Sequence, residues 1–213
     1  MLAIVSAIQD EIYTIVNELN AKKQFEENSW VSKKHDVYIL PLGVGYLTAA
    51  IRLQQFCNQH PEINSILFCG TAGSYIGSKD IGTIVQGKST LLADAAAEVE
   101  LSHYAPVLER DELQSTLKLD LDLLSGKVLT ALTLTKSAET AKKMNQNTGC
   151  NFENMELYGI ASVSRLLKLR WNSVLGITNK VGMNGHVEWF KNHKSLETKF
   201  GNLVSEMIKS RKC

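Results

Sequence analysis

The segment Asn154-Met155-Glu156-Leu157-Tyr158-Gly159-Ile160-Ala161 opens the most strongly helical pattern of the chain, which continues to about residue 169. Apolar and small residues recur in it at spacings of three and four on both sides, so the pattern predicts a largely buried helix. Glu156 then places a carboxylate in or beside a hydrophobic core, where an unpaired charge is costly. Two interpretations stay open: a first-turn glutamate favoured by the helix dipole, or a carboxylate that binds hydroxyl groups of a ligand.

Apolar strands alternate with helical patterns on both sides of this segment. Strands are predicted at residues 2–7, 36–42, 65–69, 81–85, 89–92, 128–134 and 173–178, and helices at 11–19, 46–57, 109–117, 137–144 and 195–209. The strands are continuous apolar runs, which is typical of a mostly parallel sheet covered by helices on both faces. We therefore predict a single α/β domain over residues 1–213, with a mixed, mostly parallel central sheet flanked by helices.

Composition excludes several classes of protein. The 213 residues are 44% hydrophobic and 21% charged with a net charge of +1, which is ordinary for a globular chain. No basic block indicates a nucleic acid or a membrane surface as partner, and no apolar run is long enough to span a bilayer. The amino terminus lacks the features of a signal peptide. Cys57, Cys69, Cys150 and Cys213 are scattered without a CxxC pair, which favours reduced thiols in a cytoplasmic protein over disulfides or a zinc site.

Several polar and glycine residues follow the predicted strands. In mostly parallel sheets, ligands bind beyond the carboxyl ends of the strands. The residues predicted at that edge are Glu11, Gly43, Gly45, the segment 70–74 (predicted as a loop), Thr133, Thr135 and Asn179, and Glu156 can reach the same cleft from its helix. The glycine-rich segment 70–73 is either a tight turn or a backbone cradle for a sugar or an anion.

Two other glycine patterns resemble nucleotide-binding motifs. Residues 82–89, Gly-Thr-Ile-Val-Gln-Gly-Lys-Ser, match the phosphate-loop pattern, but their Thr-Ile-Val centre favours a strand over a flexible loop. An NTPase is thus an alternative, one in which Lys88→Ala abolishes function. The run Gly43-x-Gly45-x-x-Thr48 lacks the third glycine of a dinucleotide fingerprint, so a tight turn before a helix is the better interpretation.

The histidines near the carboxyl end do not form a metal motif. The spacing of His186, Glu188 and His193 suits no standard zinc site. We interpret this stretch as a solvated helix face with Trp189 packed inward, and we predict no metal site and no cofactor.

Five segments, in this order, resemble the nucleoside phosphorylase and nucleosidase family. They are the strand and acidic turn at residues 3–11, Leu42-Gly43-Val44-Gly45 with Ala49-Ala50, Phe68-Cys69-Gly70-Thr71-Ala72-Gly73, Asn154-Met155-Glu156, and Ile177-Thr178-Asn179. The resemblance extends from Met1 to about Trp189. It implies the fold predicted above and a small-molecule nucleoside as ligand.

The resemblance also implies roles for individual residues. Glu11 matches the acid that deprotonates the attacking water, Glu156 the carboxylate that binds ribose hydroxyls, and Asn179 the residue facing N7 of the purine. The implied substrate-binding residues are Gly45, Thr71, Ala72, Gly73, Thr133, Thr135, Asn154 and Met155. Among these, Met155 packs under the sugar, Thr71 lies near the nucleophile, and Thr133 and Thr135 lie on the strand that flanks the base.

Departures from the family pattern narrow the range of possible substrates. Asn179 stands where the hydrolases of methylthioadenosine and adenosylhomocysteine have an aspartate, and an amide suits a 6-oxopurine. Futalosine hydrolases of menaquinone synthesis are similar in carrying asparagine there and in the stretch from Leu132 to Glu139. The phosphate-binding arginine of the phosphorylase branches is absent from residues 6–11, which favours water over phosphate. The resemblance also implies a homodimer or a larger homo-oligomer.

Three hypotheses follow. The first is a nucleosidase that cleaves a 6-oxopurine nucleoside such as futalosine, with an adenine-type nucleosidase or a purine nucleoside phosphorylase as its nearest alternatives. The second is a purine-binding module that catalyses no reaction. This hypothesis stays open because Asn179 stands where related hydrolases have an acid. The third is the NTPase.

Overall fold

A computed structural model describes residues 1–75, 77–103 and 111–210 of the chain. Its strands are β1 (Leu2–Ser6), β2 (Lys22–Gln24), β3 (Ser29–Ser32), β4 (Val37–Pro41), β5 (Ser65–Ser74), β6 (Ile84–Ala93), β7 (Leu113–Gln114), β8 (Leu124–Ala131), β9 (Phe152–Asn154) and β10 (Arg170–Lys180). Its helices are α1 (Tyr13–Glu18), α2 (Tyr46–Gln59), α3 (Ala95–Glu98), α4 (Ala138–Thr148), α5 (Leu157–Leu166) and α6 (Gly185–Ser210), and a 3₁₀ turn spans Gln9–Glu11.

The strands form one mixed sheet in the order β10-β6-β8-β9-β5-β1-β4-β3-β2, with β7 paired to β6. Strand β10 also pairs with β5, so β10, β6, β8, β9 and β5 close into a ring. Strands β4, β1, β5 and β10 are mutually parallel, and their carboxyl ends therefore meet at one edge. The predicted single-domain α/β architecture is confirmed.

Helices cover both faces of the sheet. Helices α2 and α5 pack on one face around Phe68, Ile160 and Leu175, and α1 and α6 pack on the other face around Ile4 and Phe200. Gly159 permits the close contact between α5 and α2, because a Cβ atom there would lie 2.1 Å from the carbonyl oxygen of Tyr46. Any side chain at this position would push the helix that follows Glu156 away from the sheet.

Several predicted elements differ from the structure. Residues 70–74 are not a loop: they are the second half of β5, which is held by pairing to β10 and β9. The strands predicted at 81–85 and 89–92 are one strand, β6, and the helix predicted at 109–117 is wrong for residues 111–117, which contain β7. Its first two residues lie outside the described part of the chain. Strands β2, β3 and β9 were not predicted, since short strands form by pairing rather than by local propensity.

Two helix boundaries also differ. Helix α5 begins at Leu157 and ends at Leu166, and α6 begins at Gly185, ten residues before its predicted start. The earlier start brings His186, Glu188 and Trp189 into the first turns of a 26-residue helix.

The phosphate-loop pattern of residues 82–89 lies mostly in β6 and opens no helix. It therefore lacks the strand–loop–helix context that a phosphate loop requires, so the structure removes the basis of the NTPase hypothesis. No helix of the described residues is both long and apolar enough to cross a lipid bilayer.

Candidate active site

A cavity of about 260 Å³ opens at the edge where β1, β5 and β10 end. Thr71 and Gly73 of β5 form part of its floor, and the turn after β1, the start of α5 and the start of α6 form its walls. Its volume is slightly below the usual range of about 300 to 1,000 Å³ for ligand sites.

Glu11 lies on the 3₁₀ turn that follows β1, and its side chain is 4% exposed. One carboxylate oxygen accepts hydrogen bonds from the backbone N–H of Ala7 and Ile8 at 3.2 and 3.4 Å. The other accepts from the backbone N–H and the hydroxyl of Thr71 at 3.0 and 2.8 Å. Four donors thus fix the orientation of the carboxylate.

Burial, and next the nearby charge of Glu156, raise the pKa of Glu11, while the hydrogen bonds from Thr71, Ile8 and Ala7 oppose the rise; the resulting pKa is about 7. A carboxylate with a pKa near neutrality can both accept and release a proton at physiological pH. Glu11 therefore has the properties of a general base.

Glu156 sits at the amino-terminal cap of α5 and is 5% exposed. Asn154 supports it in two ways: its Oδ1 accepts from the backbone N–H of Glu156 and Leu157, both at 2.8 Å, and its Nδ2 donates to the Glu156 carboxylate at 2.7 Å. The side-chain oxygen of Asn154 thereby satisfies helix-terminal donors that lack a partner within the helix. Burial raises the pKa of Glu156, and the hydrogen bonds that its carboxylate accepts from the N–H groups of Gly45 and Met155 and from the Asn154 amide counteract the rise.

The turn after β4 provides a further donor to Glu156. Gly45 has a φ of +90°, a conformation that favours glycine, and its N–H donates to the Glu156 carboxylate at 2.9 Å. Gly45 does not itself line the cavity. Gly45 therefore affects the cavity only through its hydrogen bond to Glu156. Neither interpretation of the sequence had named a hydrogen-bond partner for the Glu156 carboxylate.

Asn179 lies beside Gly73 near the end of β10, at an irregularity in the pairing with β5. Its Oδ1 accepts from the Thr178 hydroxyl at 2.9 Å, and its Nδ2 donates to the Lys180 carbonyl at 3.1 Å. Gly73 leaves the space that Asn179 needs, because a Cβ atom there would lie 2.9 Å from the Asn179 Nδ2.

The structure brings together most of the residues named from the sequence. The cavity lining includes Glu11, Thr71, Ala72, Gly73, Thr135, Asn154, Met155, Glu156 and Asn179. Gly45 and Thr133 are outside this set, and Thr133 is exposed. The placement of Thr133 and Thr135 on a strand is wrong: β8 ends at Ala131, and the turn that follows brings only Thr135 to the cavity.

Sequence reasoning missed two parts of the lining. The start of α6 contributes His186 and Trp189, and the Trp189 Nε1 donates to the Thr71 hydroxyl at 3.1 Å. The solvated helix face predicted here is wrong for His193, which is buried and whose ring stacks on Trp189 with centroids 4.3 Å apart. His186 is exposed, and Trp189 points inward as predicted. Glu153 of β9 also lines the cavity, and no motif had pointed to it. Among the described residues, no group of three or more metal-ligating side chains converges.

The structure is an α/β fold with a cavity lined by three glutamates at the carboxyl edge of its sheet. The chain belongs to the phosphorylase superfamily, whose family model matches residues 2–209. No curated protein sequence matches it significantly.

Solved structures of the same fold include two kinds of nucleosidase. The methylthioadenosine/adenosylhomocysteine nucleosidase of Streptococcus pneumoniae, bound to a transition-state inhibitor, is 14% identical with a TM-score of 0.82, over 99% of both chains. The futalosine hydrolase of Helicobacter pylori is 12% identical with a TM-score of 0.81, over 98% of this chain and 97% of that one. At these identities the likeness shows the fold and does not identify the substrate.

Proposed function

We propose that the protein is a nucleosidase that hydrolyses the N-glycosidic bond of a purine nucleoside, specifically a 6-oxopurine nucleoside such as futalosine, and releases the free base. The observation that carries the proposal is the convergence of Glu11 and Glu156, two buried carboxylates, on one cavity that also includes Asn179. Membership in the phosphorylase superfamily supports it.

Glu11 activates the nucleophile in this proposal. A water molecule attacks the anomeric carbon of the sugar as Glu11 accepts its proton. The pKa of Glu11, about 7, leaves a large ionised fraction at neutral pH, and its four hydrogen bonds keep one orientation through the reaction.

Glu156 stabilises the sugar. Cleavage of a glycosidic bond passes through an oxocarbenium-like sugar, and a carboxylate placed before the reaction starts favours that positive charge. The same carboxylate accepts hydrogen bonds from ribose hydroxyls, and Met155 packs beside them on the cavity wall.

Asn179 assists the leaving base. The base departs with the electron pair of the broken bond, and the Asn179 amide donates a hydrogen bond to it, while water supplies the proton that the free base finally carries. A 6-oxopurine suits a site without an acid at Asn179, because its anion spreads the charge onto the 6-oxygen.

Water is the proposed nucleophile because the site suits an anion poorly. The lining contains the three carboxylates Glu11, Glu153 and Glu156 against one lysine, Lys136, and no arginine, so phosphate would meet net repulsion there. Adenine-type nucleosidases share the fold, so an adenine nucleoside is the second candidate substrate.

The test is release of free base from inosine, guanosine, futalosine, methylthioadenosine and adenosylhomocysteine, each with and without phosphate. Hypoxanthine release without phosphate is the expected result. Release only with phosphate would make the protein a phosphorylase. Binding without release from any substrate would make it a binding module.

A hydrogen bond from α6 to the site leads to a further prediction. Trp189→Phe keeps an aromatic ring, although a smaller one, and removes the donor to Thr71, whose hydroxyl in turn donates to Glu11. We expect base release to slow by roughly 2- to 12-fold, the value of one hydrogen bond, and the midpoint of the pH–rate profile to rise. The control is Trp171→Phe, the same change at the opposite end of β10, which should leave both unchanged. If Trp189→Phe leaves the rate of base release and the pH–rate profile unchanged, Trp189 does not position Thr71 and Glu11.

We also propose that two copies of the chain associate as a homodimer. Val44, Leu134 and Met183 line the cavity and are more than half exposed, which leaves an apolar rim for a neighbouring subunit to cover. Sedimentation at micromolar concentration tests this, and a monomer would contradict it.

A further inference from the structure

The amino terminus of α5 is capped in an unusual way. Glu156 is the N-cap residue of this helix, yet its side chain makes no hydrogen bond to the first turn. Its φ of −118° and ψ of −35° are helical, whereas N-cap residues typically have extended dihedrals that turn the side chain back onto the helix. The Glu156 carboxylate accepts hydrogen bonds from Gly45, Asn154 and Met155 instead. The first N–H groups of α5 therefore depend on acceptors from outside the helix.

Two directly paired residues of the sheet supply those acceptors. Asn154 of β9 is paired with Thr130 of β8. The Asn154 Oδ1 accepts from the N–H groups of Glu156 and Leu157, both at 2.8 Å. The Thr130 hydroxyl accepts from the N–H of Tyr158 at 3.0 Å. The N–H groups of the cap residue and of the first two helical residues are thus bonded to side chains of two neighbouring strands.

The position of the Thr130 hydroxyl is not explained by packing alone. Thr130 is 0% exposed, and its hydroxyl lies 3.2 Å from that of Thr90 on β6, which is also buried. Valine has nearly the same shape and would fill this space without the cost of burying a hydroxyl group. Thr130 is not part of the cavity lining, so it can affect the cavity only through the helix that it caps.

The Tyr158 N–H is the donor for which Thr130 and Glu156 compete. It is the second N–H group after the cap residue, and an N-cap side chain ordinarily accepts from that position. If it were free, both this N–H and the positive end of the helix dipole would attract the Glu156 carboxylate toward the helix. Because Thr130 occupies it, the carboxylate remains directed at Gly45 and at the cavity.

We propose that Thr130 is a positioning residue: by accepting the hydrogen bond of the Tyr158 N–H, it keeps the Glu156 carboxylate in the cavity, where ribose hydroxyls can reach it. The contact with ribose rests on the proposed function, whereas the orientation of Glu156 does not. Loss of the Thr130 hydroxyl lets Glu156 cap its own helix, and the carboxylate then leaves the position from which it binds the sugar.

Thr130→Val removes the acceptor and keeps the shape of the side chain. A crystal structure of this variant should show the Glu156 carboxylate within hydrogen-bonding distance of the Tyr158 N–H. The ratio of kcat/KM for a ribonucleoside to kcat/KM for its 2′-deoxy analogue should fall about tenfold or more, the value of one hydrogen bond to a charged group. Thr130→Ser restores the hydroxyl and should restore both the orientation and the ratio, which a role in packing alone would not predict.

Titration of Glu11 gives a readout that needs no turnover. Carbon-13 NMR of the ligand-free protein follows this carboxyl, and Glu11→Gln identifies its signal. The charge of Glu156 contributes to the raised pKa of Glu11, which is about 7 in the wild type. The variant keeps the hydrogen bonds that Glu11 accepts from Thr71 and from the turn after β1. Movement of the Glu156 carboxylate toward α5 should therefore lower the Glu11 midpoint in Thr130→Val below the wild-type value.

Thr116→Val is the matched control. The Thr116 hydroxyl also accepts from a backbone N–H, that of Trp171 at 3.2 Å, and Thr116 lies outside the cavity lining. The same loss of an acceptor there should change neither the ratio nor the Glu11 midpoint. If Thr130→Val does not fold, Thr130→Ala removes the same acceptor and is measured in the same way.

The outcomes separate this inference from the proposed function. Hydrolysis in which Thr130→Val retains the wild-type ratio, with Glu156 still directed at the cavity, overturns the role of Thr130 and retains the nucleosidase. A Glu11 midpoint that does not fall also overturns this role. If the wild type hydrolyses no nucleoside, the nucleosidase is overturned, and the crystal structure and the Glu11 titration still decide the role of Thr130. A Glu156 carboxylate turned toward α5, with a lowered Glu11 midpoint, then supports it.

Discussion

Glu11→Gln is expected to lower the rate of base release by a factor of about 10² to 10⁴, the usual contribution of a general base. Glutamine preserves an acceptor for the Thr71 hydroxyl and N–H but cannot accept the proton of water. In the wild type, kcat/KM should rise with pH through about 7, because Glu11 must be ionised to act and its pKa is raised to about 7. The variant should lose this dependence.

The same substitution should stabilise the fold at alkaline pH. The pKa of Glu11 rises from 4.5 to about 7 on folding, so its contribution to stability is fully present below about pH 4.5 and is lost as the pH rises through 7. At about 1.36 kcal/mol per pKa unit, the loss approaches about 3 kcal/mol. Urea denaturation at pH 8 should therefore show Glu11→Gln to be more stable than the wild type, with little difference at pH 4.5.

The matched control for Glu11→Gln is Asp10→Asn, which changes the adjacent, exposed carboxylate that does not line the cavity. It should alter neither the rate nor the pH dependence of stability. A Glu11→Gln variant that remains fully active would exclude Glu11 as the base, whatever its stability.

Glu156→Gln is expected to lower kcat/KM by about 10² to 10³, because it removes a negative charge from beside the developing sugar cation. The substitution also places an amide N–H₂ where the carboxylate accepts from Asn154 or Gly45, so a donor would then face a donor. The pH–rate profile distinguishes loss of this charge from a general disruption of the fold. Without the charge of Glu156, the pKa of Glu11 should fall, and the midpoint of the profile should move below that of the wild type.

A 2′-deoxynucleoside tests the contact between Glu156 and the ribose directly. The wild type should lose activity when the hydroxyl is removed from the substrate, and Glu156→Gln should lose little more, because the two changes delete the same interaction. Independent, additive losses would show that Glu156 does not bind that hydroxyl. The control is Glu197→Gln, which changes a buried glutamate of α6 that accepts hydrogen bonds from Thr14 and lies outside the cavity lining.

Local patterns were sufficient for the α/β class and for the residues at the carboxyl edge. Continuous apolar runs such as residues 2–6 become buried strands, and the residue after a parallel strand necessarily lies at the edge where ligands bind. Glu11 and Asn179 were found in this way. Glu156 required the family resemblance as well, because a first-turn glutamate has an ordinary structural explanation.

Pairing between distant segments of the chain determined structural features that local sequence patterns could not predict. Residues 70–74 contain two glycines and look like a loop, yet they continue β5 because β10 and β9 pair with them from residues about 80 to 105 positions away. Strand β9 has only three residues, and its pairing is what brings Glu153 level with Gly73. No local propensity contains that information.

The sequence by itself therefore determined the fold class, the edge at which ligands bind and the chemical identity of the groups placed there. Only the tertiary structure decided how those groups behave, because the pKa of Glu11 depends on burial and on Glu156, which is 145 positions away in the chain. It also decided that Trp189 contacts Thr71 and that Glu153 and Asn179 line the same cavity. Propensity acts between near neighbours in the chain, whereas desolvation and charge act between neighbours in space.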